Sequence, residues 1–191
     1  MKLKSVFIAS SILIAFIAFI FVFVPNAVDV LSFSGLSFFS GELWRLFTFS
    51  FTHVNLQHLL ENIISIFLVA FLGYEFGLNG KSFFFFFIVA SFIVALVDAF
   101  LLPSLVLAGA SLGIYGIVGA LSIKGSNFIP KLYLIPLLGL SVFVKYLLVA
   151  FIYPSSFELE QTFFHFSGFL TGILLFYVPR TFKKKRYILQ R

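Results

Sequence analysis

The chain has 191 residues, of which 61% are hydrophobic, only 10% are charged and 31 are phenylalanine. Ordinary soluble domains carry about 25% charged residues, so this composition excludes a typical soluble domain and predicts an all-α membrane protein. Because no cysteine is present, disulfides, thiol catalysis and cysteine-based metal sites are excluded as well.

Six hydrophobic segments are predicted to enter or span the bilayer as helices, since a backbone in lipid must satisfy its own hydrogen bonds. They cover about residues 5–24, 56–76, 82–102, 111–124, 131–152 and 162–179. The first segment follows Lys2 and Lys4, as in a signal peptide, but it is long enough to span and no A-x-A site follows it. We therefore expect it to be retained, within a single transmembrane domain over residues 1–191.

The basic residues predict how the chain is oriented. With six spans, eleven of the thirteen fall on one side of the membrane: Lys2, Lys4, Lys81, Lys124, Lys131, Arg180, Lys183, Lys184, Lys185, Arg186 and Arg191. The positive-inside rule makes this side cytoplasmic. We expect a multi-pass protein of the plasma membrane with both termini cytoplasmic and a basic cytoplasmic tail at 180–191. The net charge of +6 is then explained without nucleic acid as a partner.

Two apolar stretches need separate interpretation. The long connection over residues 25–55 contains hydrophobic side chains throughout, so it is predicted to pack in the membrane interface with Trp44 as an amphipathic anchor. The run of five phenylalanines at 83–87 is interpreted as lipid-facing filling.

The fourth segment is shorter than the bilayer is thick. Its fourteen residues from Ser111 to Lys124 make about 21 Å of helix, against a hydrocarbon core of about 30 Å. Ser111 should therefore lie below the outer surface, after a non-helical descent that must be buried in protein or line a wet cavity. The run 109–113 also fits G-x-S-x-G, but it lacks the preceding strand of α/β-hydrolases, so that fold is rejected.

The histidines are the candidate partners of this serine. His165 lies near the outer end of the sixth segment, and Gly168 and Gly172 follow it as a G-x-x-x-G seam. Such a seam predicts close packing, here against the glycine-containing helix that Ser111 opens. Ser111 and His165 would then lie at similar depth, and histidine can take a serine proton near neutral pH.

A second polar pair lies on the second segment. His58 and Asn62 are four residues apart, so they share a helix face and can both donate hydrogen bonds to an oxyanion, although such side chains also hold helices together. A metal site of His58, Glu61, His53 and His165 is the alternative, but the spacing is not H-E-x-x-H, and the H-x-x-E-H pattern ends in Asn62. We predict no metal and no other cofactor.

These motifs resemble those of rhomboid intramembrane serine proteases over about residues 40–180. The matching motifs, in chain order, are Trp44-Arg45, His53-x4-His58-x3-Asn62, Gly73-Tyr74-Glu75, Gly109-Ala110-Ser111 with Tyr115, Gly116 and Gly119-Ala120, and His165-x2-Gly168-x3-Gly172. The resemblance implies a six-transmembrane-helix rhomboid-like bundle whose short fourth helix starts at the catalytic serine. It also implies an endopeptidase of the lipid bilayer that cleaves single-span transmembrane proteins, which enter beside the fifth helix and a cap loop at about 151–161.

The same resemblance implies a role for each residue. Ser111 is the nucleophile and His165 the general base of a dyad. The side chains of His58 and Asn62 form the oxyanion hole with the Ser111 N–H, and Tyr115 orients the His165 ring. The supporting residues are Gly109, Gly168, Gly172, His53, Trp44, Arg45 and Glu75, the last in a polar network at the cytoplasmic side.

Three residues depart from the family pattern. Leu112 follows the serine where a small residue is usual, Glu61 replaces an apolar residue, and Lys145 lies within the fifth segment. Bulk at Leu112 can narrow the pocket, and the charge of Glu61 can perturb His58. Two other functions remain open: a catalytically inactive rhomboid-like scaffold that binds membrane proteins, and a small transporter, which should show internal repeats or several intramembrane charges.

Overall fold

The computed structural model describes residues 4–152 and 156–188, without the side chains of 142, 143, 145–147, 149, 150, 156–159 and 178–188. The described part of the chain is built from nine α-helices: α1 (Lys4–Phe23), α2 (Ala27–Leu31), α3 (Gly35–Phe39), α4 (Arg45–Thr48), α5 (Leu56–Glu75), α6 (Gly80–Leu101), α7 (Ser111–Lys124), α8 (Lys131–Ile152) and α9 (Ser156–Ile188). Among the described residues, three helices are long and apolar enough to cross a membrane, namely α1, α5 and α6. The Lys145 side chain lies outside the described residues.

The last helix is longer than its predicted span at 162–179. α8 ends at Ile152 and α9 begins at Ser156, so the predicted cap loop at 151–161 is wrong in length, and the helix also continues to Ile188 through most of the predicted tail. Residues 156–161 contain neither glycine nor proline. Acidic residues also favour a helix near its amino end, so this stretch extends the helix instead of interrupting it.

Asparagine caps fix where two of the long helices begin. The Asn55 side chain accepts a hydrogen bond of 2.8 Å from the His58 N–H at the start of α5, and Asn79 accepts one of 2.9 Å from the Ser82 N–H at the start of α6. α6 ends at Leu101, two residues before a proline that disfavours helical backbone in the residue preceding it. The cap of α5 places His58 in its first turn.

The main core is formed by α1, α5, α6 and α7, and it includes most of the phenylalanine run. Phe83, Phe86 and Phe87 are buried, while Phe85 is 39% exposed. The lipid-facing interpretation is therefore wrong for the three buried rings. Their spacing places them on one face of α6, where Phe87 packs against Gly113 of α7.

The outward faces of α1 and α5 are strongly apolar. They expose large hydrophobic side chains: Ile8, Ile12, Phe16, Phe19, Leu60, Ile64, Phe67 and Phe71. Soluble monomers rarely expose contiguous apolar surface of this extent. This surface fits the hydrocarbon of a bilayer, as expected for a membrane-embedded protein.

The long connection over 25–55 folds into α2, α3 and α4 and docks on the non-helical segment that leads to α7. Phe33 and Leu107 exchange two backbone hydrogen bonds of 2.9 and 2.7 Å, and the Gly109 N–H donates to the Phe49 carbonyl at 2.9 Å. Non-helical backbone at membrane depth needs hydrogen-bond partners from the protein. The connection supplies such partners to the segment before α7.

The two helices that carry Ser111 and His165 touch through glycine. Three backbone contacts of this kind join α7 to α9: Gly172 to Gly116, Gly119 to Phe169, and Gly168 to Leu112. At each glycine, an added Cβ atom would collide with the backbone carbonyl of the opposite helix. The backbones of α7 and α9 can come this close only because these three positions have no side chain. The glycines therefore set the distance between the two helices.

We expect Gly172→Ala to destabilise the protein by about 1–3 kcal/mol, because its methyl group would meet the rigid Gly116 carbonyl. Gly139→Ala on α8 is the matched control, since a Cβ there makes ordinary contact with the Phe169 ring at 3.4 Å. The free energy of unfolding in detergent micelles is the measurement. Equal stability of the two variants would contradict the glycine contact.

Candidate functional site

A cavity of about 1110 Å³ brings together side chains from α5, α7 and α9 and from the segment that precedes α7. Ser111, His165, His58 and Asn62 all line it. Four residues that the sequence analysis selected from three separate segments thus line one cavity. Polar and ionisable side chains are costly when they face lipid, so within a membrane protein they usually face the interior or a cavity. The position of these four residues follows that rule.

Ser111 and His165 lie within hydrogen-bonding distance. The Ser111 Oγ and His165 Nε2 atoms are 2.8 Å apart, although the residues are 54 positions apart in the chain. Ser111 is the first residue of α7 and is half-buried, whereas His165 is buried on α9. When Nε2 carries no proton, the serine hydroxyl donates to it, and the pair has the geometry of a nucleophile and its base.

The His165 ring also packs against Tyr115. The two ring centroids are 4.7 Å apart with an interplanar angle of 47°. Tyr115 lies four residues after Ser111, one turn along the same face of α7. One helix therefore presents to the imidazole both a hydroxyl partner and an aromatic wall that restricts its rotation.

Two side chains of α5, those of His58 and Asn62, are candidate oxyanion donors and line the cavity. Asn62 is buried, and its Nδ2 donates a hydrogen bond of 2.8 Å to the His58 carbonyl, which fixes the amide orientation. Gly109 has φ +112 and lies so close to the His58 ring that a Cβ atom would collide with it. The Ser111 N–H belongs to the first turn of α7, where backbone donors have no intrahelical partner.

His53 is buried beside His58 and does not line the described cavity. The two rings meet edge to face with centroids 5.1 Å apart. Burial lowers the pKa of His53 from 6.5 to about 4, and the nearby His58 contributes in the same direction. His53 is therefore neutral at physiological pH and fills space behind the cavity wall.

Trp44 and Arg45 hold the long connection together away from the cavity. The Arg45 Nη1 atom donates to the carbonyls of Asp29 and Ser32 at 2.7 and 3.0 Å, and its Nε atom pairs with Glu42. Its guanidinium lies 5.9 Å from the centre of the Trp44 ring. The Arg45 side chain thus joins α4 to the backbone of residues 29 and 32. All of these residues belong to the connection that docks on the segment before Ser111.

The structure also shows the surroundings of Glu75, which was predicted to join a polar network, and of Leu112, which was predicted to narrow the pocket. Glu75 is exposed at the end of α5, and no described residue forms a hydrogen bond or ion pair with it. Leu112 is 4% exposed and belongs to a second hydrophobic cluster with Phe33, Phe49 and Phe164. Its bulk anchors α7 under the long connection and borders the cavity without filling it.

Sequence reasoning passed over three residues near the site. Glu160 and Gln161 line the cavity, and the spacing of Gln161 four residues before His165 could have indicated this, since such residues share a helix face. Asp98 on α6 is fully buried, and neither carboxylate oxygen has a hydrogen-bond partner among the described residues. A single acid inside an apolar span was its only signal.

Comparison with known proteins gives one family. The model of the Rhomboid domain matches residues 40–181, which is most of the chain and includes every site residue described above. No curated protein matches the sequence. Within the described residues, no three side chains of histidine, aspartate or glutamate come together as metal ligands.

The low pKa of His53 predicts a specific loss of stability in acid. Because its pKa is about 4 in the folded protein and 6.5 otherwise, the folded state binds fewer protons between these values. Its contribution to stability is complete above pH 6.5 and falls by up to about 1.4 kcal/mol for each pH unit down to about 4.

A His53→Gln variant isolates this effect, since glutamine does not titrate. As the pH falls from 7 through 6 to 5, the free energy of unfolding in micelles should fall more for the wild type than for the variant. Parallel curves over this range would show that His53 is not held neutral by burial.

Proposed function

The chain belongs to the rhomboid family, and from that premise we propose that it is an intramembrane serine endopeptidase that uses a Ser111–His165 dyad. The distance of 2.8 Å between Ser111 Oγ and His165 Nε2 carries the proposal. A serine is a weak nucleophile until a neighbouring base takes its proton. The dyad faces a cavity large enough for a peptide segment.

In the first step, His165 Nε2 accepts the Ser111 hydroxyl proton as Oγ attacks the carbonyl carbon of the scissile peptide bond. The resulting imidazolium donates this proton to the departing amine, which leaves an acyl-enzyme on Ser111. A water molecule in the cavity then gives a proton to His165 and attacks the ester. The second product leaves with a new carboxyl group and Ser111 recovers its proton.

The negative oxygen of each tetrahedral intermediate needs donors that are already in position. An asparagine amide has two N–H donors. One of those on Asn62 is used by the His58 carbonyl, which leaves the amide oriented so that the second can serve the oxyanion. The His58 side chain and the Ser111 N–H supply the other donors.

Two observations favour the enzyme over a catalytically inactive scaffold that binds membrane proteins. A binding scaffold does not need a serine and a histidine in hydrogen-bonding contact, nor an aromatic ring packed against that histidine. Both features restrict the imidazole to an orientation that is useful for proton transfer. The scaffold remains the alternative that an absence of cleavage would favour.

The surroundings of the dyad suggest the class of substrate. The outer faces of α1 and α5 are apolar, so a substrate that reaches the cavity from the bilayer must itself be a membrane span. We propose that the substrates are single-span transmembrane proteins. We also propose that the protein itself crosses the plasma membrane six times with both termini in the cytoplasm. Its chemistry would need no cofactor.

We expect Ser111→Ala and His165→Ala each to lower kcat for cleavage of a single-span reporter in lipid vesicles by at least about 10³-fold. Asn62→Ala should cost about 10²-fold, because it removes one oxyanion donor. Ser141→Ala is the matched control, since Ser141 lines the same cavity but donates to the Leu138 carbonyl of its own helix. Cleavage of the reporter by either dyad variant at the wild-type rate would overturn the proposal.

The packing of Tyr115 against His165 predicts a difference between two substitutions. Tyr115→Phe keeps the ring and should retain activity, whereas Tyr115→Ala lets the imidazole rotate and should lower kcat by about tenfold or more, since small misplacements of catalytic groups are costly. KM should change little in both variants. If Tyr115→Phe is as impaired as Tyr115→Ala, the hydroxyl and not the ring is what matters.

A further inference from the structure

The cavity that contains the dyad has acidic walls. Two of the described residues that line it are carboxylic acids, Glu61 on α5 and Glu160 on α9, and none of the described lining residues is lysine or arginine. Neither acid has a step in the proposed mechanism. Glu61 also lies within a predicted membrane segment, where charged side chains are costly and mark functional positions by default.

Glu61 lies in the middle of a polar stripe on α5. Gln57, Glu61 and Ser65 follow one another at intervals of four residues, share one helix face and all line the cavity. The Gln57 Nε2 atom donates a hydrogen bond of 3.0 Å to Glu61 Oε1, which orients the carboxylate along the helix. Asn62, a candidate oxyanion donor, is the next residue in the chain, and both residues line the cavity.

Glu160 lines the same cavity from α9. It precedes His165 by five residues, which places it about 7.5 Å from that histidine along the axis of α9, toward Ser156. An extended peptide advances about 3.3–3.6 Å for each residue. The offset therefore corresponds to two or three residues of a bound substrate, on the side that the basic residues predict to be outward.

We infer that Glu61 and Glu160 are specificity-determining residues, which favour substrates with lysine or arginine two or three residues from the scissile bond on its outward side. The inference rests on the proposed function. Both described charged residues that line the cavity are acids, so a substrate cation bound there is attracted by each of them. The same two charges repel aspartate and glutamate at that position, so the walls both attract and exclude.

Such a preference would be selective among membrane proteins. The positive-inside rule concentrates lysine and arginine at the cytoplasmic ends of spans. Most single-span proteins therefore have few cationic residues at the outward end. A cavity that requires one there would cleave a minority of the spans that can reach it.

The test uses the full-length protein in lipid vesicles and three versions of one single-span reporter, with lysine, glutamine or glutamate at these outward positions. We expect kcat/KM to fall in the order lysine, glutamine, glutamate, with at least about a tenfold difference between the extremes. In the Glu61→Gln/Glu160→Gln double variant the three values should converge to within about twofold. Glu61→Lys should move the preference toward the glutamate reporter.

Two controls separate this result from general effects. Asp29→Asn removes an exposed acid of α2 that does not line the described cavity, and it should keep the wild-type order. Labelling of Ser111 by a fluorophosphonate gives the active fraction of each variant, so that rates are compared per folded site.

Equal cleavage of the three reporters by the wild type, or an unchanged order in the double variant, would overturn the inference while the protease remains. A wild-type protein that cleaves none of the reporters, or a Ser111→Ala variant that cleaves them, would instead refute the proposed function and this inference with it.

Discussion

The direct backbone contact between α7 and α9 is the constraint on which the site depends. Without a side chain at Gly172 and Gly119, each helix can bring its backbone against a carbonyl of the other. In a membrane, helices gain little from hydrophobic attraction to one another, so close packing of this kind supplies much of their association. A hydrogen bond of 2.8 Å between Ser111 and His165 can form only if these helices are held at that separation.

A second constraint fixes where α7 begins. The non-helical segment before Ser111 has backbone groups that lipid cannot satisfy, and the connection over 25–55 satisfies several of them through Phe33 and Phe49. Leu112 then packs with these two rings in the second hydrophobic cluster. Arg45 stabilises the connection itself by bonding two of its carbonyls. The connection over 25–55 thus helps to position Ser111, although it does not contribute a group to the dyad.

Much of this arrangement follows from the sequence because lipid leaves few choices for a backbone. The bounds of α1, α5, α6, α7 and α8 lie within two residues of those expected from hydrophobicity and length. The short span from Ser111 and the glycine spacing after His165 predict a recessed serine beside a histidine. The faces of the phenylalanine run could not be predicted, since five identical residues carry no periodicity, and burial of Phe83 and Phe87 depends on partners elsewhere in the chain. The extension of α9 to Ser156 was missed for a related reason, because charged residues at a helix end resemble a loop when only hydrophobicity is read.

The remaining property of the site is its access to water. The proposed peptide hydrolysis consumes water, whereas the outer faces of α1 and α5 suit hydrocarbon. The polar face of α5 resolves this conflict, because Gln57, Glu61 and Ser65 line the same cavity as the dyad and polar groups of this kind hold water in a space that lipid would otherwise fill. The neighbouring exposed face of the same helix, with Leu60, Ile64, Phe67 and Phe71, is apolar. One helix thus carries both a polar face that lines the cavity and an apolar face that suits lipid.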